Sequence, residues 1–187
     1  MPNHSIPLFI KRFFVTPAVI GTIAPTSTST ARKMAAPIPP NATVLEIGAG
    51  TGSMTQGILE RLDNPSQLTS VEIDPELAKE FRVNFPNVTL NVGDAEEVMR
   101  TTSNLDAIVS GIPFAVMDAQ KRTRMFQAVA RAIKPDGLFI PIQYGLTLRR
   151  ELEQHFSDVR IGFSFWNIPP TFFYICRKPK TTSSNNR

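Results

Sequence analysis

Short apolar runs alternate with amphipathic stretches along the chain from residue 43 onward. Short apolar runs are typical of buried strands, whereas apolar positions spaced three and four apart are typical of helices. Strands are predicted over 43–47, 68–73, 88–91, 105–110, 138–142, 159–165 and 171–176, and helices over 53–62, 75–84, 118–133 and 148–155. This alternation predicts an α/β fold: a doubly wound, seven-stranded, mainly parallel sheet with helices on both faces.

Local signals place several element boundaries. Asp74 and Pro75 supply a cap and a first-turn proline for the helix that runs through Asn84. Residues 134–137, Lys-Pro-Asp-Gly, predict a turn before the fifth strand. Only residues 166–170 separate the last two strands, which is too short for a crossover helix. We therefore expect an antiparallel final strand pair at one end of the sheet.

The first 42 residues fit no strand–helix unit and form a separate predicted segment. An amphipathic helix over 6–14 would carry Lys11 and Arg12 on one face, and on the other Ile6, Phe9, Ile10, Phe13 and Phe14. A Ser/Thr-rich loop over 26–30 and a short helix over 31–36 follow. The predicted organisation is an N-terminal membrane-contact or lid segment (1–42), the main domain (43–177) and a flexible basic tail (178–187).

Charge is distributed unevenly along the chain. There are 20 Lys and Arg against 16 Asp and Glu, a net charge of +4. Residues 1–44 hold four basic residues and no acid, and so do residues 177–187, which leaves 12 basic and 16 acidic residues between them. An acidic body with basic ends indicates an anionic partner reached through the termini, either phospholipid or nucleic acid. Simple solvation of the termini is the alternative explanation.

Cysteine and histidine are too scarce for several classes of protein. Cys176 is the single cysteine, and His4 and His155 are the only histidines. The sequence therefore has too few cysteines and histidines for a disulfide scaffold, a zinc site or a Ser-His-Asp triad, and we expect no metal. No apolar run reaches the 18 residues of a membrane-spanning helix. Residues 13–24 imitate a signal peptide only poorly, so a cytoplasmic protein is expected.

A glycine-rich loop, Glu-Ile-Gly-Ala-Gly-Thr-Gly over residues 46–52, directly follows the first strand. Its glycines permit a tight turn and let a ligand lie against bare backbone at the carboxyl edge of the sheet. Glu72 ends the next strand, where a carboxylate can accept both hydrogen bonds of a ribose diol. Asp94 follows the third strand, where its carboxylate can accept a hydrogen bond from the amino group of adenine. One nucleoside can therefore contact all three acids.

The ligand of this loop is either a dinucleotide or S-adenosylmethionine. Dinucleotide loops read G-x-G-x-x-G and hold pyrophosphate, which Glu46 would repel, whereas Glu46 suits the cationic methionine end of S-adenosylmethionine. Residues 43–176 resemble the class I methyltransferases, a Rossmann-like family with this sheet and this loop. The resemblance implies S-adenosylmethionine as cofactor, held by Glu46, Gly48, Ala49, Gly50, Gly52, Glu72, Ile73, Asp94, Ala95 and Ser27.

The fourth strand ends in Ser-Gly-Ile-Pro-Phe over residues 110–114, where these methyltransferases present the methyl acceptor. Ser110 stands where base-methylating families carry Asn or Asp. Together with the segment 17–27, the Gln-Tyr-Gly at 143–145 and the Trp-Asn-Ile-Pro-Pro at 166–170, this sequence resembles the bacterial soluble phospholipid N-methyltransferases. The match spans nearly the whole chain in the right order.

That resemblance implies methyl transfer to the amine of phosphatidylethanolamine, towards phosphatidylcholine, by a peripherally membrane-associated enzyme. Phe9, Lys11, Arg12 and Phe13 are expected to contact the anionic membrane surface. The alternative is that these phenylalanines pack on the domain. Phospholipid and membrane are the expected partners, nucleic acid is not, and the chain is expected to be a monomer. Ornithine lipid stays open as an alternative substrate.

The reaction is a direct displacement at a sulfonium methyl, so alignment and desolvation should contribute most of the rate. Tyr144 is predicted to orient the neutral amine and relay its proton, with Ser110 and Gly111 beside it as catalytic positions. Phe114, Trp166 and Asn167 are predicted to contact the headgroup, because aromatic faces attract the cationic product. Trp166 could alternatively anchor the turn of the final strand pair.

Two other functions share parts of this pattern. Ribosomal RNA adenine dimethyltransferases have a similar glycine loop and a related acceptor motif, but they usually add a helical RNA-binding domain. A membrane-associated binding protein with a degenerate cofactor loop is the other alternative. The intact Glu46, Glu72 and Asp94 argue against it.

Overall fold

The computed structural model describes residues 26–167 and 170–180 of this chain. A seven-stranded sheet forms the centre, in the order β3-β2-β1-β4-β5-β7-β6. The pairs among β1 to β5 are parallel, while β7 runs antiparallel to both β5 and β6. The predicted doubly wound sheet with an antiparallel final pair is confirmed. The strands are β1 Val44–Ile47, β2 Leu68–Glu72, β3 Thr89–Val92, β4 Leu105–Ser110, β5 Ile133–Gln143, β6 Phe156–Ser164 and β7 Thr171–Pro179.

The helices of the described residues connect these strands and cover both faces of the sheet. They are α1 Thr28–Ala35, α2 Thr55–Leu59, α3 Pro75–Asn84, α4 Ala95–Thr101, α5 Ala119–Ala132 and α6 Arg149–His155, with single 3₁₀ turns at Pro65–Gln67 and Phe114–Val116. None of these helices is long and apolar enough to cross a membrane.

Three of these helices have an aspartate as the N-cap residue, at the carboxyl edge of the sheet. Asp74 caps α3, Asp94 caps α4 and Asp118 caps α5, each accepting a hydrogen bond from a first-turn backbone N–H. A carboxylate here satisfies amides that the helix leaves unpaired and lies at the positive end of its dipole. The predicted helix from Pro75 to Asn84 is confirmed.

Two apolar clusters, one on each face of the sheet, form the core. Neighbouring residues of β1 serve opposite faces: Val44 joins the cluster that includes Phe81 and Ile140, and Leu45 joins the cluster that includes Phe126. Burial on both faces explains why the central strands read as continuous apolar runs rather than alternating ones.

Two local predictions were wrong, and one helix was not predicted. Helix α1 begins at Thr28, so most of the loop predicted over 26–30 is helical. Residues 134–137 do not form a separate turn before the strand but lie inside β5, opposite a register shift between Leu105 and Ala107 of β4. Lys134 fixes this irregularity through an ion pair of 2.6 Å with Asp106. Helix α4 was not predicted, because its apolar positions are too few for a clear helical period. The sequence feature that indicated this helix was Asp94 as N-cap, followed by acidic residues in the first turn.

Both ends of the described chain pack onto the domain. Helix α1 lies against α2, where a Cβ on Gly57 would come within 2.7 Å of the Ala31 Cβ, so only glycine permits this approach. The following residues, to Ala42, contribute buried apolar side chains to the core. Part of the predicted N-terminal segment therefore belongs to the folded body. At the other end β7 runs to Pro179, which places the first residues of the predicted tail in the sheet. Phe9, Lys11, Arg12 and Phe13 lie outside the described residues.

Candidate active site

An open cleft of about 500 Å³ lies at the carboxyl edge of β1, β2, β3 and β4. Parallel strands present their ends, and the loops that follow them, at one edge, which is where doubly wound folds bind ligands. Five of the predicted cofactor residues line the cleft. Its lining is Gly48, Val71, Glu72, Ile73, Gly93, Asp94, Ala95, Ile112, Pro113, Met117, Lys121 and Met125.

The glycine loop takes a backbone conformation that only glycine adopts without strain. Gly48, Gly50 and Gly52 have φ values of +71°, +58° and +96°. The backbone N–H groups of Gly48 and Ala49 both donate to the Val71 carbonyl, which ties the loop to β2. A Cβ added at Gly50 would meet nothing within 4 Å. Gly50 therefore leaves open space beside bare backbone, as a bound ligand requires.

Glu72 connects the loop to the second strand. Its Oε2 accepts from the Gly50 N–H at 2.7 Å, and its Oε1 accepts from the Asp74 N–H at 2.9 Å. The side chain is almost fully buried, and burial raises its pKa above the usual range. Each carboxylate oxygen has a second lone pair. Glu72 can thus hold the loop and still accept the hydroxyls of a ribose from the cleft that it lines.

Glu46 lies beneath the glycine loop, fully buried on the α2 face of the sheet. Its Oε2 accepts hydrogen bonds from Thr55 Oγ1 at 2.8 Å and Ser70 Oγ at 2.7 Å, while Oε1 has no partner among the described residues. Burial raises the pKa of this carboxyl to about 7. A buried acceptor without a partner costs roughly 1–3 kcal/mol, so this site favours a cationic donor supplied by a ligand. Sequence reasoning missed Thr55 and Ser70, which hold this carboxylate.

Asp94 stands across the cleft from the loop and already has partners. Its Oδ1 caps α4 through the Glu96 N–H at 2.8 Å, and its Oδ2 pairs with Lys121 Nζ at 2.9 Å. Lys121 and the two methionines of the lining, Met117 and Met125, are further residues that sequence reasoning missed. They come from α5 and the loop before it, far along the chain from the glycine motif.

The acceptor loop, residues 110–114, contacts the glycine loop directly. A Cβ on Gly111 would lie 2.5 Å from the Gly48 carbonyl oxygen, so glycine is required where the two loops cross. Ser110 is fully buried, and its Oγ accepts from the Ile112 N–H at 3.1 Å. This hydrogen bond turns the chain back at the end of β4. The predicted catalytic positions Ser110 and Gly111 thus shape the loop that carries Ile112 and Pro113 into the cleft.

Gln143, at the end of β5, holds this loop from the other side. Its Nε2 donates to the Ile112 carbonyl at 2.9 Å, and its Oε1 accepts from the Ala115 N–H at 3.4 Å. The Gln143 carbonyl in turn accepts from Thr171 Oγ1 at 2.9 Å. The sequence signal for Gln143 was a polar residue at the end of a buried apolar strand, whereas the predicted catalytic role fell on the neighbouring Tyr144. Tyr144 follows directly at the same edge, and burial raises its pKa above 10, so its phenol is protonated at neutral pH.

The structure separates the predicted headgroup residues. Phe114 is fully buried, with its ring centroid 4.9 Å from Phe126 and 6.1 Å from Phe139. The prediction that Phe114 lines the headgroup pocket was therefore wrong. Burying its large apolar ring in the core lowers the free energy more than leaving it at the solvated edge of the sheet would. Trp166 is 72% exposed, whereas Asn167 beside it is buried.

Asn167, just after β6, is hydrogen-bonded to the first residues of the described chain. Its Oδ1 accepts from the Ser27 backbone N–H at 2.8 Å, while Ser27 Oγ caps α1. Nearby, the hydroxyls of Thr30 and Ser164 share a buried hydrogen bond of 2.7 Å. The two motifs that contain Ser27 and Asn167 are thus neighbours at the carboxyl edge. A cofactor contact from Ser27 stays a prediction.

These residues fit S-adenosylmethionine. The apolar cleft with Asp94 would hold adenine, Glu72 the ribose, and the open space at Gly50 with the unpartnered Glu46 oxygen the cationic methionine end. Fold and site together define a class I methyltransferase. Residues 44–137 match the methyltransferase-domain family, to which this chain belongs, and its methyl donor is S-adenosylmethionine.

Relatives of this chain include an ornithine lipid N-methyltransferase from Singulisphaera acidiphila. It is 30% identical over 184 residues, which cover 92% of this chain and 96% of the relative. A protein named "Probable ribosomal RNA small subunit methyltransferase A" from Methanosarcina mazei is 34% identical over 85 residues, 44% of this chain and 30% of its own length. Among solved structures, a precorrin-6y C5,15-methyltransferase from Geobacter metallireducens has a TM-score of 0.65 at 18% identity, covering 80% of this chain and 88% of that one. This last likeness concerns the fold alone.

Proposed function

We propose that this protein transfers methyl groups from S-adenosylmethionine to the primary amine of a membrane lipid headgroup, with phosphatidylethanolamine as substrate. The observation that carries the proposal is the similarity to a lipid N-methyltransferase over 96% of that relative's length. Such coverage includes the acceptor loop and the final strand pair as well as the cofactor half. The ribosomal RNA relative matches over 85 residues only.

When bound, S-adenosylmethionine supplies an electrophilic methyl group; the side chains described here position the amine. Gln143 and Ser110 fix the acceptor loop against the glycine loop, so the backbone carbonyls of this loop have defined positions. Carbonyls there can accept the N–H groups of an incoming amine and aim its lone pair. Tyr144, protonated at neutral pH, orients the amine through its hydroxyl rather than acting as a phenolate base.

The amine proton passes to water or to a group at the carboxyl edge rather than to His155. Among the described residues the histidine is His155, which ends α6 at the opposite edge, where β6 begins. Burial also lowers its pKa. The amine must reach the site neutral because an ammonium has no lone pair, so the reaction rate should rise with pH as more of the headgroup is deprotonated.

Ornithine lipid is the second candidate substrate, because it is the substrate in the name of the relative from Singulisphaera acidiphila. It also offers a primary amine on a membrane lipid. The experiment incubates the protein and methyl-labelled S-adenosylmethionine with vesicles of phosphatidylethanolamine, vesicles of ornithine lipid, or ribosomal RNA. Label in phosphatidylethanolamine supports the proposal, and label in ornithine lipid alone replaces its substrate. Label in RNA alone would overturn it.

A further inference from the structure

Exposed large hydrophobic side chains concentrate at the carboxyl edge of the sheet. In the described part of the chain they are Val83, Val92, Val116, Leu146, Ile161, Phe163, Phe165 and Trp166. All except Val83 lie in the carboxyl-side half of a strand or in the segment that follows a strand there. Val83 lies near the end of α3, towards the opposite edge. Clustered exposed apolar surface marks an interaction site, whereas a single exposed residue does not.

The largest part of this surface is the aromatic tip, formed by Phe163, Phe165 and Trp166 where β6 turns into β7. Phe165 is 76% exposed and Trp166 72%. The Phe165 ring packs edge-on against Phe163 at a centroid distance of 4.4 Å, and Phe163 in turn lies 4.9 Å from Phe172 on β7. The strand pair therefore supports the tip from behind and leaves the outer rings facing solvent.

The segment from residue 149 to residue 180, which includes the aromatic tip, has six basic and three acidic residues. No acidic residue follows Asp158, which pairs with Arg160 of β6 at 3.2 Å. At the same edge of the sheet α6 begins with two exposed arginines, of which Arg149 pairs with Glu153 at 2.8 Å and Arg150 is the next residue. Aromatic residues flanked by cations are the composition of surfaces that rest in the interface of an anionic bilayer.

The aromatic tip is connected to the acceptor loop through Gln143. Thr171, which begins β7 just beyond the tip, donates to the Gln143 carbonyl, and the Gln143 side chain holds Ile112. On its other side, Asn167 accepts from Ser27, where the described chain begins. The tip, the acceptor loop and the first described residues of the predicted N-terminal segment therefore lie at one edge.

We propose that the aromatic tip inserts into the interface of an anionic phospholipid bilayer and thereby turns the acceptor loop towards the lipid headgroups. The choice of a bilayer as occupant rests on the proposed function. Interfacial regions of bilayers accept tryptophan in particular, because its ring is apolar while its N–H stays hydrated. A second copy of this chain, or residues 1–25, covering the tip are outcomes of the test that would overturn the proposal.

Trp166 is the only tryptophan of the chain, so it reports on the tip directly. Full-length protein is titrated with vesicles of equal parts phosphatidylcholine and phosphatidylglycerol while its fluorescence is recorded. Insertion shifts the emission to shorter wavelength, and lipids brominated high on the acyl chain quench it. Emission that is already blue-shifted in free protein, or that depends on protein concentration, would mean that the chain itself or a second copy covers the tip.

A matched pair of variants tests the energetics. Phe165→Ser should weaken vesicle partitioning by at least about tenfold, because it removes a large apolar ring from the interface. Val83→Ser changes a side chain of nearly equal exposure, 77%, at the opposite edge, and should leave partitioning unchanged. An equal loss in both variants, or none in either, would overturn the proposal. Melting curves of both variants verify that they fold.

Methyl transfer to vesicles in which phosphatidylethanolamine replaces the phosphatidylcholine, and to a short-chain phosphatidylethanolamine dispersed as monomers, separates this inference from the proposed function. Phe165→Ser should lose activity on vesicles and keep it on monomers. Absence of transfer by the unmodified protein on either substrate would contradict the proposed function and leave the fluorescence result standing. Full vesicle activity in Phe165→Ser would contradict insertion alone.

Discussion

The cofactor cleft and the acceptor side share one edge of the sheet but are assembled from different kinds of contact. Around the cleft, Glu46, Glu72 and Asp94 each stand at or beside the end of a strand, and the glycine loop is held by neighbours on β1 and β2. On the acceptor side, Gln143 reaches Ile112 and Asn167 reaches Ser27, contacts between distant parts of the chain. The cleft is an open, mainly apolar space bordered by acidic side chains, whereas the acceptor side ends in the exposed aromatic tip.

This difference implies two separable functions. Changes in the cleft should alter the affinity for S-adenosylmethionine, whereas changes on the acceptor side should alter methyl transfer without altering that affinity. Four substitutions test whether the separation holds.

Gly50→Val should have the largest effect. It fills the open space beside the loop, and we expect S-adenosylmethionine to bind at least about 100-fold more weakly, a loss of roughly 3 kcal/mol. Calorimetry measures the affinity. Because Gly50 has a φ of +58°, any side chain is strained there, so Gly50→Ala is the control that shares this strain but adds little volume. Normal affinity in the valine variant would show that the loop does not cradle the cofactor.

Glu72→Ala should weaken cofactor binding by about 1.5–3 kcal/mol, because it removes acceptors for the ribose and for the Gly50 N–H. The exposed Glu76→Gln on α3 is the matched control and should bind normally. Titration calorimetry of both proteins measures the affinity for S-adenosylmethionine. If Glu72→Ala binds as tightly as Glu76→Gln, the Glu72 carboxylate holds the glycine loop but does not contact the cofactor.

Glu46→Gln should change how stability depends on pH. Burial raises the pKa of Glu46 to about 7, above its ordinary value of 4.5, so its contribution to stability is complete below about pH 4.5 and is lost as the pH rises through 7. Without cofactor, the variant should be more stable than the unmodified protein at pH 8 by about 2 kcal/mol, because ionising the buried Glu46 costs about 3 kcal/mol and the unpartnered glutamine amide about 1. Denaturant titrations at pH 5 and pH 8 measure this difference.

The same variant tests the role of the unpartnered Glu46 oxygen in cofactor binding. Affinity for S-adenosylmethionine should rise between pH 6 and pH 7.5 in the unmodified protein, as Glu46 ionises, and stay flat in Glu46→Gln. The exposed Glu80→Gln is the control for both measurements. Parallel pH profiles in all three proteins would remove Glu46 from the cofactor site.

Gln143→Leu should have the smallest effect and on a different quantity. Loss of its hydrogen bonds to Ile112 and Ala115 loosens the acceptor loop, so methyl transfer should slow about tenfold, equivalent to about 1.4 kcal/mol. The cofactor Kd should not change. Gln154→Leu, on the exposed face of α6, should leave both values unaltered. A higher Kd for the cofactor in Gln143→Leu would show that the cofactor cleft and the acceptor side are not separable.

Much of the cofactor half could be predicted from the sequence. A glycine loop after a strand and an acid at the end of each of the next two strands are local patterns, and parallel strands bring their ends to one edge whatever else the chain does. Glu72, Ile73, Asp94 and Ala95 accordingly line the cleft. The Asp74 cap and helix α3 follow from the same kind of local signal.

Only the tertiary structure decided the acceptor side. No local pattern distinguishes Phe114, which is buried among other aromatic rings, from Phe165 and Trp166, which are exposed, because burial depends on what packs from elsewhere. The pairing of Gln143 with Ile112 and of Asn167 with Ser27 likewise requires the register of β4, β5 and β7 and the docking of α1. A sequence specifies periodicity and strand-end chemistry directly; which apolar residues are covered is a property of the assembled core.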